Sequence, residues 1–140
     1  MPKIYAFVIL IASILLMFFG TIINSSTYFD EYDGIYEVYL SSNSSKAKVV
    51  SVDKCSVGSF ICKTGEAIFI ENSELDINEI FDDFKAKLIF VEETNEGISY
   101  YGYSQNIKYQ KRINGKDINI QVFHGNNGIK IGLPIIYGSF

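Results

Sequence analysis

Residues 4–23 read IYAFVILIASILLMFFGTII, twenty positions without a charge. Wound as a helix at 1.5 Å per residue they extend about 30 Å, the thickness of a bilayer's hydrocarbon core. The stretch therefore predicts an N-terminal transmembrane helix within residues 1–25. A secretory leader has a shorter apolar run of about 7–15 residues and then a small-x-small cleavage site. Neither feature is clear here, so a retained anchor is favoured over a cleaved signal. Lys3 and the amino terminus precede the run, while Asp30, Glu31 and Asp33 follow it. That polarity predicts a cytoplasmic N-terminus and an extracellular C-terminal domain on a single-pass cell-membrane protein.

Downstream, 26–33 is a polar connector and 34–140 is one domain. Of 140 residues, 48% are apolar, with 11 Phe and 10 Tyr. This is too hydrophobic for disorder and large enough for a core. Past Lys3 the chain has 11 basic against 16 acidic residues. A surface of that sign repels phosphate, which argues against a nucleic-acid partner. The densest cations, Lys108, Lys111, Arg112 and Lys116, fit the solvated side of a hairpin.

Within the domain, 34–40 (GIYEVYL) alternates as a strand, 41–45 (SSNSS) is a polar turn and 46–52 (KAKVVSV) is a second strand. A third strand is expected at 66–71. Asp76, with Glu79 three residues on, opens a helix whose stripe is Ile77, Ile80, Phe81, Phe84 and Leu88. Strands follow at 88–92, 98–103, 108–113, 117–123 and 129–137, with Asn114-Gly115 as a two-residue hairpin turn. Pro134 should make the last strand an edge or break it. The expected class is α+β: the membrane helix, then a small antiparallel meander with one amphipathic helix packed on one face.

Few residues carry candidate chemistry. Cys55 and Cys62 bracket an eight-residue loop (CSVGSFIC). An exported domain permits a disulfide there, worth about 2.5 kcal/mol through loop closure. Two independent thiols are the other reading; the spacing suits neither a C-x-x-C redox pair nor zinc. His124, the sole histidine, lies in a turn-like HGNNG with no evident nucleophile partner. DEYDG at 30–34 lacks the ligand spacing of a calcium loop. Tyr100, Tyr101, Tyr103 and Tyr109, with Tyr137, place amphipathic rings on adjacent strands, a candidate binding surface if they are not core. No cofactor, metal or catalytic set is indicated, so a non-enzyme is expected.

Residues 113–122 (INGKDINIQV) and 129–140 (IKIGLPIIYGSF) resemble the closing part of the YwmB family, secreted or anchored α+β proteins of Gram-positive, often spore-forming bacteria with no established biochemical activity. The resemblance implies a bacterial extracytoplasmic location and no transferable active site. The functional expectation is a binding module for an envelope protein or cell-wall component. Alternatives are an accessory membrane protein acting through its hydrophobic helix, or a small envelope hydrolase.

Overall fold

The computed structural model describes residues 2–24, 27–40, 49–51, 63–71 and 74–138. The candidate disulfide Cys55–Cys62 and the turn at 41–45 lie outside them. The first helix, α1, runs Pro2–Asn24. Its described side chains, residues 4–18, are all exposed, and none joins the core. The transmembrane expectation is corrected: among the described residues no helix is long and apolar enough to cross a membrane.

The strands are β1 (Ile35–Tyr39), β2 (Val49–Ser51), β3 (Gly65–Glu71), β4 (Lys87–Glu93), β5 (Gly97–Tyr103), β6 (Lys111–Ile113), β7 (Lys116–Ile118), β8 (Ile120–Gly125) and β9 (Gly128–Leu133). Seven form one antiparallel sheet in the order β2-β1-β3-β9-β8-β5-β4; β6 and β7 form a separate hairpin. This is larger than the small meander expected. β4, β5, β8 and β9 do run as a meander, but β9 then pairs with β3, some 60 residues earlier in the chain. The last strand is consequently central, and it stops at Leu133, one residue before Pro134. The run expected at 117–123 divides at Asn119, whose side chain accepts from the Ser104 N–H and donates to the Ser104 carbonyl.

The second helix, α2, spans only Ile77–Asp83. Asp76 caps it by accepting from the Asn78 N–H, and Phe84 closes it. Lys85 then takes a φ of 49°, a left-handed turn that sends the chain into β4. Leu88, expected on the helical stripe, is instead a half-exposed strand residue.

Side chains of alternate residues divide the sheet into two faces. The helix face carries the row Tyr36, Ile68, Ile131, Val122, Tyr100 across β1, β3, β9, β8 and β5. Ile80 and Phe81 of α2 and the capping Phe84 pack on this face together with Phe29, which is fully buried in the stretch expected to be a connector. The opposite, open face is crossed at one end by residues 134–138. There the Ile136 N–H donates to Gln121 Oε1 (2.9 Å), and the Tyr137 N–H donates to Tyr39 Oη (3.1 Å). Gly132 makes this passage possible, since a Cβ there would lie 2.7 Å from the backbone of Ile135 and Ile136.

Candidate functional site

The part of the open face that the C-terminal segment leaves uncovered is a cleft of about 570 Å³, within the range usual for small-ligand sites. Its floor is one row of the sheet: Phe69 on β3, Lys130 on β9 and Phe123 on β8 face one another in register. Its rim is made by the β4–β5 turn (Asn95, Glu96) and the β8–β9 turn (Asn126, Asn127). Those turns place three asparagines along the rim of an aromatic floor. The Phe123 ring lies against Gly97 and Gly125, where an added Cβ would come within 2.8 and 2.6 Å of it.

Lys130 is buried to 6% exposure. Its Nζ lies 3.1 Å from Glu37 Oε2, on β1 of the same face. An ammonium taken out of water needs such a partner, and the pair leaves the floor of the cleft close to neutral. Beside it, Gln121 Nε2 donates to Ser99 Oγ (3.1 Å) and Tyr101 Oη (3.2 Å). The Tyr101 hydroxyl in turn donates to Glu92 Oε2 (3.1 Å). Burial, reinforced by Glu92, raises the Tyr101 pKa above the ordinary tyrosine value. The open face is therefore an ordered polar surface with aromatic inlays. It can take hydrogen-bonding groups and an apolar ring face together.

The tyrosines predicted as one surface are split among environments. Tyr100 points to the helix face and packs against the core. Tyr101 lies on the open face, stacked on Phe90 at 4.4 Å between ring centroids. Tyr103 is half-buried at the end of β5. Tyr109 is core, 7% exposed, with a buried hydroxyl that has no hydrogen-bond partner among the described residues. His124 is an exposed residue of β8, not of a turn, with Ile98 and Ile129 as its ladder neighbours. Among the described residues no cluster of His, Cys, Asp and Glu could hold a metal ion.

Sequence reasoning missed the cleft residues Phe69, Phe123 and Lys130 and the partner Glu37. The signal available was a lone Lys within the apolar IKIGL run, which demands a buried anion.

A second polar centre sits on the helix face. Glu66 of β3 is fully buried and accepts from Thr27 Oγ1 (2.7 Å), the Tyr28 N–H (3.1 Å), Tyr36 Oη and Lys63 Nζ (3.2 Å). Burial pushes the Lys63 ammonium below the ordinary lysine value, while Glu66 opposes that shift. The Tyr28 hydroxyl accepts from the Lys108 N–H (3.0 Å), and the Tyr32 hydroxyl donates to Asp83 (2.8 Å). These bonds fasten residues 27–32 into the domain and give Glu66 a structural task.

No protein family, curated protein or solved structure matches the chain.

Proposed function

We propose that the chain is a non-catalytic interaction module of the bacterial envelope, with the open-face cleft as its ligand site and an envelope protein or wall component as its partner. The observation that carries this reading is the cleft itself: an aromatic floor, three asparagines on the rim, and a buried lysine already neutralised by Glu37. Such a lining favours an uncharged polar ligand with an apolar face, as a sugar ring offers, over an anion. The side chains of α1, exposed from residue 4 to 18 and apolar apart from Ser13, support placement at a lipid surface, where that area would leave water.

The test is retention of the purified full chain, in mild detergent, on isolated wall fragments and on solubilised envelope protein, against a Phe69→Ala variant. Retention of the parent chain at least fivefold above the variant is expected. Equal retention, or none above a control bead, would overturn the reading. Impermeant maleimide applied to intact, reduced cells tests location: labelling of Cys55 and Cys62 is expected, and labelling only after lysis would reject an extracellular domain.

A second reading, action through α1 on another membrane protein, is favoured by the exposure of its side chains. Replacement of α1 by an unrelated apolar helix discriminates: loss of function with the domain intact supports it, and retained function rejects it.

A further inference from the structure

β4 ends the seven-stranded sheet, so one side of its backbone faces no strand among the described residues. Seven residues long, it displays Leu88 at 53% and Val91 at 48% exposure. Exposed edges of this kind pair readily unless charge or a bulge interrupts them. β4 has a bulge, between Leu88 and Phe90, and the bulge decides which strand can be added.

The faces follow from the register with β5. Lys87 lies opposite Tyr103 and Glu92 opposite Ser99, four residues apart on β5, so both belong to the open face. Leu88 lies opposite Gly102 and Val91 opposite Tyr100, two apart, so both belong to the helix face. Between Leu88 and Val91 stand two residues where regular alternation allows one. A regular strand laid antiparallel along β4 would match its faces on one side of the bulge and mismatch them on the other. A second β4 related by a two-fold axis carries the same extra residue at the same place, so both strands make the step together.

In that register Lys87 meets Glu92 of the second copy on the open face, and Leu88 meets Val91 of the second copy on the helix face. The symmetry repeats both pairs. Opposite charges and apolar partners thus coincide in the register that keeps the faces matched along the whole of β4, through the bulge. We propose that the chain self-associates through antiparallel pairing of β4 with β4 of a second copy, extending the two sheets into one.

Sedimentation or native mass spectrometry of the full chain in detergent at low ionic strength tests this. The unaltered chain is expected to be dimeric. K87E and E92K each turn two attractive cross-strand pairs into repulsive ones and are expected to weaken association about tenfold. The double variant K87E/E92K, and an equimolar mixture of the two single variants, restore opposite charges at both pairs and are expected to recover it. Both positions are exposed, and unchanged far-ultraviolet circular dichroism would confirm that each variant folds. A monomeric parent chain, self-association indifferent to the single reversals, or failure of the double variant and the mixture to recover would each overturn the proposal.

Discussion

Removing the Glu66 carboxylate would leave Lys63, whose side chain is 1% exposed, buried beside donors that have lost their acceptor. Breaking one half of a buried ion pair costs about 3–5 kcal/mol, more than the pair contributes against an apolar replacement. Glu66→Ala is therefore expected to lose about that much stability in urea unfolding. Glu66→Gln, which keeps an acceptor oxygen, should lose less. Equal losses would mean that packing volume, rather than charge and hydrogen bonding, sets the cost. The residue is the second of the strand GEAIFIE, where a charged side chain would ordinarily be expected toward solvent. Lys63, three residues away, is a local partner, but nothing marks the pair as buried, because the other partners Thr27, Tyr28 and Tyr36 come from 30 to 39 residues upstream.

Among the elements, α2 and β5 meet at closest range where Gly102 lies beneath Phe81. A Cβ at Gly102 would come 2.4 Å from Phe81 Cε1 and 2.9 Å from the Lys87 carbonyl. Gly102→Ala should displace α2 and cost about 1–3 kcal/mol, as overpacking does. A thermal midpoint within a degree of the parent would show that the helix can shift without penalty. What was legible in the sequence at this level was local. Alternation in GIYEVYL and ISYYGY placed β1 and β5, and Asn114-Gly115 forms the β6–β7 turn with φ values of 51° and 76°. What was illegible depended on distant partners or on accidental spacing. Leu88 continues the i, i+4 series from Phe84, yet the left-handed Lys85 has already ended the helix. The β3–β9 pairing leaves no trace in either segment, and it makes the final strand central. The tyrosine surface dissolved because Tyr100 and Tyr101 alternate onto opposite faces, and Tyr109 follows the chain into the core. The cleft floor could not be read for the same reason: Phe69, Lys130 and Phe123 become neighbours only through cross-strand register.

Across the whole molecule, buried tyrosines link stability to alkaline pH. Burial raises Tyr36, Tyr39 and Tyr109 above the ordinary value of 10.0, with Glu66 adding to the shift at Tyr36 and Tyr109. A raised folded-state pKa contributes stability in full below the unfolded value of 10.0 and loses it as pH climbs toward the folded value. Lys63 has the opposite sign: its lowered pKa means that stability rises with pH until the unfolded lysine at 10.5 has also lost its proton. The urea midpoint should therefore hold or rise up to about pH 10 and fall steeply beyond it. Phenolate absorbance of these rings should grow together with unfolding, and a phenolate signal that completes while the circular dichroism stays native would refute this.

The way residues 27–32 are sewn to Glu66, Lys108 and Asp83 also fixes a leash length. Only Ser25 and Ser26 separate the last residue of α1 from Thr27, a reach of roughly 10 Å at full stretch. Whatever surface receives α1 therefore keeps the sheet within about one domain's breadth of itself. Thr27, just past those two serines, is already bonded to the carboxylate of β3 inside the core. Any contact the open face makes while α1 is held at a surface would fall within that short radius.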